Sequence, residues 1–249
     1  MAKPRLPNKD FTWAPEFAYA IGLLATDGCL SKDGRHIIMR SSDIQLLEIF
    51  KRCIGTSDKI TETFCNGFAK KPSYRVQPSM VQFYRWLLTI GLTPAKTHTI
   101  AALKIPDEYF RDFLRGHLDG DGSVSGYIDY YNTRKNPKYI YTRIWLRFIS
   151  VSETHAKWLR ARISELTGIK GHVWTYFPKR DDRVPMNVLK FGKEESITLL
   201  NWMYYAPDVP CLERKRKKVQ KLLQKEQVYW EKNLPSRSAG RPRIRYVPE

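Results

Sequence analysis

The chain has no run of 18 or more apolar residues, so it contains no candidate transmembrane helix. Cysteine is scarce: Cys29, Cys53, Cys65 and Cys211 form no Cys-x-x-Cys pair, which reads as reduced, apolar-site thiols rather than zinc ligands or a disulfide framework. The five histidines, His36, His98, His117, His155 and His172, fall at no metal-ligand spacing. No Gly-x-x-x-x-Gly-Lys-Ser/Thr loop is present, so nothing points to a nucleoside triphosphate. The segment Met1 to Asp10 is charged and contains proline instead of the apolar core of a secretory signal, and the expected location is intracellular, in the cytoplasm, an organelle or the nucleus.

Acidic residues are also short in supply, with 25 Asp+Glu against 43 Lys+Arg and a formal net charge of +18. A field of that sign fits a polyanionic partner, because Lys and Arg displace counterions condensed on nucleic-acid phosphates. A soluble or ribosome-associated basic protein is the alternative that charge alone leaves open. At 249 residues, 42% of them hydrophobic and 13% aromatic, the chain can bury either one large core or two small ones.

What the chain does have is one segment twice. Ala20-Ile21-Gly22-Leu23-Leu24-Ala25-Thr26-Asp27-Gly28 aligns without a gap with Leu114-Arg115-Gly116-His117-Leu118-Asp119-Gly120-Asp121-Gly122, 94 positions later. Each copy ends a helix at Asp-Gly. The first helix begins near Trp13 to Glu16, with Pro15 in its first turn and Phe17, Ile21 and Leu24 at helical spacing. A strand over Arg35 to Arg40 follows. Asp43 then caps a helix through Leu46, Leu47, Phe50 and Ile54 that stops at Gly55. Strands are expected near Lys59 to Cys65 and Tyr74 to Ser79, then a helix over Val81 to Leu92. The second half repeats the order: a helix over Pro106 to Asp121, strands over Ser123 to Tyr131 and Tyr139 to Val151 around a polar loop Asn132 to Pro137, a helix over Glu153 to Thr167, strands over Gly171 to Phe177 and Val184 to Phe191, and a helix over Glu194 to Tyr205. The expected class is α+β, two pseudo-twofold αββαββα repeats, at 1–105 and 106–206, followed by a basic C-terminal helix and tail at 207–249.

Alternation divides the strand faces. Over Tyr141 to Ile149, Arg143, Trp145 and Arg147 fall on one face, and Ile144, Leu146 and Phe148 fall on the core face. Arg75, Gln77, Tyr131 and Lys190 join the first set as candidate nucleic-acid contacts, beside the plainer reading of a solvated face. From Cys211 to Glu249 there are twelve Lys/Arg against four Glu. The Arg214-Lys215-Arg216-Lys217-Lys218 run opens a helix whose Leu212, Val219, Leu222, Leu223 and Trp230 can dock on the body. A solvated charged face and a nuclear-localisation signal are the other readings of that run. Gly240-Arg241-Pro242-Arg243 resembles the core of an AT-hook, with a disordered basic tail as the simpler alternative.

The paired segments resemble the LAGLIDADG motif, and the repeat order resembles that of the LAGLIDADG homing endonucleases in single-chain form, over roughly residues 15 to 206. In such a pair Gly22 and Gly116, lacking side chains, let two helices meet closely. The resemblance implies a monomeric, site-specific double-stranded DNA endonuclease, intron-encoded, whose antiparallel sheets form a saddle over a long asymmetric site. Asp27 and Asp121 would hold Mg²⁺ or Mn²⁺ at the minor groove, assisted by the carbonyls of Thr26 and Gly120, with Ca²⁺ substituting without cleavage. Arg40 stands where the family often places a lysine. Val151 stands at the matching place in the second repeat, so Arg147, Lys96 or Lys215 would serve there, or the two sites are unequal. The absence of a His-Asn-His pattern disfavours a histidine-based nuclease. The alternatives on the same fold are a maturase that binds intron RNA and a cleavage-inactive DNA-binding regulator. The ends of the chain, Met1 and Val247-Pro248-Glu249, argue against an intein.

Overall fold

The computed structural model describes residues 11–63, 72–134, 141–178 and 184–232. Met1 to Asp10, Cys65, the 135–137 part of the polar loop and the Gly240 to Arg243 tail lie outside the described residues, as does the side chain of Trp230.

Two helices form the axis of the molecule. In α1 (Pro15–Thr26), Pro15 sits at the first helical positions, where its missing N–H costs nothing, and every residue from Ala18 to Ala25 is buried. In α4 (Phe110–Asp119), every residue except Arg111 is buried. Helices covered on all sides belong to a core, and each of these packs mainly on the other. A single turn of 3-10 helix, Asp107–Tyr109, precedes α4, so the long helix expected from Pro106 to Asp121 is shorter at both ends.

Each axial helix runs straight into a hairpin. After α1 come β1 (Gly28–Leu30), β2 (Ile37–Ser41), α2 (Ile44–Ile54), β3 (Thr61–Thr63), β4 (Ser73–Val76) and α3 (Val81–Thr89). After α4 come β5 (Ser123–Asp129), β6 (Tyr141–Ser150), α5 (Glu153–Thr167), β7 (His172–Tyr176), β8 (Met186–Phe191) and α6 (Lys193–Met203). The sheets have the same antiparallel order, β1-β2-β4-β3 and β5-β6-β8-β7. The α+β repeat is therefore duplicated in space as in sequence. The strand β1 has no counterpart among the strands expected from the sequence, because it is only three residues long and follows Asp27 directly.

Helix stops are where chemistry puts them. Gly55 (φ 67°) and Gly168 (φ 73°) take the left-handed conformation that ends α2 and α5. Ser152 caps α5 by accepting from the His155 N–H. Asp43 stands before α2 but does not cap it: its carboxylate accepts two hydrogen bonds from Arg214, at 2.9 and 2.6 Å. A longer-range partner has taken the side chain that the local pattern assigned to the helix.

The last helix, α7 (Glu213–Lys232), lies on the core-side face of the second sheet, where Leu222 packs over Gly126. Leu212, Val219 and Leu223 are buried, as expected for the docking side. Buried Glu226 ties α7 down through the Thr142 hydroxyl and the Lys193 ammonium, the latter at 2.6 Å. No helix among the described residues is long and apolar enough to cross a membrane.

Candidate active site and nucleic-acid face

The two motif glycines sit at the closest approach of α1 and α4. A Cβ on Gly22 would lie 2.1 Å from the Phe113 carbonyl oxygen, and one on Gly116 would lie 2.0 Å from that of Tyr19. Both separations are far inside van der Waals contact, so the backbones touch only because neither residue has a side chain. The second glycines of the copies also match. A Cβ on Gly28 would meet Leu24 Cα at 2.6 Å, and one on Gly122 would meet Leu118 Cα at 2.6 Å.

This contact brings the C-termini of both helices together and, with them, Asp27 and Asp121. Their carboxyl groups are within hydrogen-bonding reach of each other. Burial, then the charge of Asp121, pushes Asp27 up to about 6, and burial raises Asp121 as well. Two carboxylates held this close resist ionising together.

Two lysines answer that charge symmetrically. Lys96, in the connection after α3, donates to the carbonyls of Thr26 (3.2 Å) and Gly28 (2.6 Å) at the end of α1. Lys215, in the first turn of α7, donates to Leu118, Asp119, Gly120 and Gly122 at the end of α4, at 2.6 to 3.0 Å. Each ammonium thus sits on the negative end of a helix dipole. Burial lowers both lysines, while the nearby aspartates act in the opposite sense. The carbonyls of Thr26 and Gly120 already accept from these lysines, each keeping a second lone pair.

Arg40, by contrast, lies on the outer face of β2, directly opposite Arg75 of β4. The lysine that reaches the end of α1 is Lys96, 69 residues beyond Asp27, and no local pattern marks its return to the motif. The basic run 214–218 is likewise not a uniformly solvated face: Arg214 reaches Asp43, and Lys215 points inward.

Asp119 is buried and takes no part in the carboxylate pair. Its Oδ2 accepts from Tyr19 Oη and from the Leu212 N–H, both at 2.7 Å, while burial raises its pKa to about 6 against those two bonds. Arg115 is fully buried, donating to the carbonyls of Pro210 (2.8 Å) and Met203 (2.7 Å) and to Asp112 (2.6 Å). The matching residues of α1 are Ala18, Ile21 and Ala25, all apolar.

Beneath the site His117 and His155 stack with 3.2 Å between their Nε2 atoms, and His155 Nδ1 donates to the Ala101 carbonyl at 2.8 Å. Burial lowers both, His155 to about 4. A histidine depressed from its usual value contributes stability that is fully present above about pH 6.5 and is lost as pH falls toward 4. For His155 alone the loss is about 3 kcal/mol. Urea unfolding between pH 7 and 4 should therefore have a steeper pH slope in the parent than in the His117→Phe, His155→Asn variant. Equal slopes would contradict this.

The outward face of the second sheet carries a cross-strand cluster. Ser125 of β5 faces Trp145 of β6, and Arg147 of β6 faces Lys190 of β8. Tyr127 packs 5.4 Å from Trp145, centroid to centroid, while Lys190 and Arg147 stand over the indole at 4.4 and 5.6 Å. Arg143 is held by Asp129 at 3.0 Å. Tyr131 is not on this sheet: it begins a 3-10 turn after β5 and is 84% exposed. On the first sheet Arg40 and Arg75 make no ion pair with any described carboxylate, and Gln77 follows directly after β4. Two guanidinium groups in direct cross-strand register repel each other.

No family model and no curated protein matches the sequence. Solved structures do. The meganuclease I-AabMI bound to uncleaved DNA superposes with a TM-score of 0.58 at 15% identity, over 88% of this chain and 92% of that one. The fold is that of the LAGLIDADG homing endonucleases. Meganuclease I-SmaMI bound to uncleaveable DNA matches the same LAGLIDADG fold with a TM-score of 0.55 at 14% identity, over 91% and 93% of the two chains. Full-length DUF199/WhiA from Thermatoga maritima also shares it, at a TM-score of 0.50 and 13% identity over 88% of this chain, which spans 63% of that longer one.

Proposed function

We propose that the chain is a metal-dependent, site-specific endonuclease that cuts both strands of a DNA duplex across the minor groove, with α1 and α4 delivering one carboxylate to each strand. The observation that carries this reading is the Asp27–Asp121 pair: two acidic groups from two like halves, in contact on the pseudo-twofold axis and each flanked by a lysine. Among the described residues no group of three or more His, Cys, Asp or Glu converges, here or elsewhere, so two carboxylates are the acidic ligands on offer. The DNA-bound state of I-AabMI and I-SmaMI, and the complex of I-DmoI with DNA and Ca, support DNA as the partner for this fold.

The residues fit a hard divalent cation. Every donor is oxygen, and burial followed by the charge of Asp121 raises Asp27 even against Lys215 and Lys96, so a bound cation would favour the ionised pair. Asp27 and Asp121 would hold Mg²⁺ or Mn²⁺, with Thr26 and Gly120 offering their remaining carbonyl lone pairs. Such an ion supplies Lewis acidity and a more acidic bound water. Lys96 and Lys215 keep one positive charge at each helix end, placed to balance a phosphate and to orient the water beside it. The two sheet faces supply the binding surface, Arg40 and Arg75 on one side and Arg143, Trp145, Arg147 and Lys190 on the other.

Selection of bound duplexes from a randomised library in Ca²⁺ tests the reading. One long asymmetric sequence should be enriched, with affinity falling steeply with salt. Arg75→Ala should relax the preference at one or two base pairs of one half-site, at about 1–3 kcal/mol per lost base contact. Equal recovery of all sequences would refute site specificity.

A further inference from the structure

The two lysines reach equivalent places by different means. Lys96 is held by a local turn: the Thr99 and Ile100 N–H groups fold back onto its carbonyl, and Ala95 before it takes a left-handed φ of 54°. Lys215 is carried instead by the first turn of α7, beside Glu213 and Arg214, which bond at the surface to Gln45 and Asp43. Its backbone N–H donates to the Leu212 carbonyl at 2.9 Å, and the N–H of that same Leu212 donates to Asp119 at 2.7 Å. One residue therefore separates the Asp119 carboxylate from the backbone of Lys215. Tyr19 of α1 donates to the same oxygen. Arg115 pins both sides of the α6–α7 connection, at Met203 and Pro210, and Asp112 accepts from Tyr205 within it at 3.1 Å.

The bonds made by Asp119 and Arg115 are buried, and they have no counterpart in the first half, where α1 offers only apolar side chains at the matching positions. A buried carboxylate needs strong compensating bonds to remain in a core. Here those bonds are made to the segment that delivers Lys215 and to the other motif helix.

We propose that Asp119 is a positioning residue that clamps the start of α7 and so sets Lys215 on the end of α4, making one of the two strand cleavages depend on a contact that the other does not use. The strand-cleavage part rests on the nuclease reading above; the clamp itself does not. Asp119 touches neither substrate nor metal and acts through Leu212.

The full chain can be tested in two ways. On the selected duplex in Mg²⁺, with each strand labelled separately, Asp119→Leu is expected to slow cutting of one strand about 10- to 100-fold, the usual range for a residue that orients a catalytic group. The other strand should be cut at nearly the parental rate, and nicked duplex should accumulate. Asp119→Asn keeps a carbonyl oxygen at the accepting position and should restore both cuts. Tyr19→Phe removes one donor with little change in volume and should show the same strand bias at smaller amplitude, which keeps the test decisive if Asp119→Leu does not fold. Independently of cleavage, acetic anhydride labelling read peptide by peptide should find Lys215 slow to react in the parent and faster in Asp119→Leu or Tyr19→Phe, with Lys96 unchanged. Equal slowing of both strands, or unchanged Lys215 reactivity, overturns the proposal. If the parent cuts no duplex, the nuclease reading and the strand-cleavage part fall together, and the labelling decides the clamp alone.

Discussion

Replacing both Asp27 and Asp121 by Asn is expected to slow cleavage by about 10³-fold or more, leave DNA affinity within a few-fold, and raise the unfolding temperature at pH 8. A loss of that size corresponds to about 4 kcal/mol of transition-state stabilisation, within what a bound divalent ion supplies. The gain in stability has a separate origin. Asp27 is raised to about 6 by burial and by Asp121. A carboxyl raised in the folded state favours folding below its unfolded value near 3.8 and loses that advantage as pH rises through about 6. At pH 8 the pair therefore costs stability. With Asp27 half-buried and partly screened by water, removing the repulsion should return on the order of 1 kcal/mol. Mg²⁺ should raise the unfolding temperature of the parent at pH 8, have little effect at pH 5, and have none on the double variant. Calorimetry at both pH values measures all three. A double variant less stable than the parent would show that the pair is held by something other than the cation it attracts.

Gly22→Ala and Gly116→Ala are the second pair of large effects, and here the expected loss is of fold before function. Each added Cβ lands about 2 Å from a backbone carbonyl oxygen of the facing helix. Backbone cannot rotate away as a side chain can, so α1 and α4 must separate along their length. Overpacking a core commonly costs 1–3 kcal/mol, and with backbone on both sides we expect about 3 kcal/mol or more for each substitution. Separating the helices also moves Asp27 from Asp121, so surviving protein should bind DNA and cut poorly. Gly192→Ala is the control. Its Cβ would meet only the Glu195 carboxylate, at 3.5 Å, and urea unfolding should place it within about 0.5 kcal/mol of the parent.

The local signals in the chain were strong where they depended on short-range chemistry. The duplicated segment located both axial helices and their ends, Gly55 and Gly168 marked two helix stops, and alternation in Tyr141 to Ile149 separated Arg143, Trp145 and Arg147 from the core face. What was not legible came from contacts between distant residues. Asp43 looks like a cap in sequence and serves Arg214 instead. Arg115 and Asp119 are polar residues in the second motif, and only folding brings Met203, Pro210 and Leu212 to them. In sequence Arg40 stands against Val151, a mismatch that suggests unequal sites. The lysines instead restore symmetry at the carboxylates, and the inequality lies in how each lysine is held. Arg40 stands at a strand end, but the strand turns it toward the outer face, opposite Arg75.

The central claim is that two carboxylates, one from each half, form a single centre for cutting a duplex. The most direct measurement adds Mg²⁺ to the parent protein bound to its selected duplex, with each strand end-labelled, and maps the products. The account predicts one cut in each strand, at positions facing each other across the minor groove, and no cut in either strand by the Asp27→Asn, Asp121→Asn variant. Intact strands with the parent in both Mg²⁺ and Mn²⁺, or full double-strand cleavage by the variant, would contradict it.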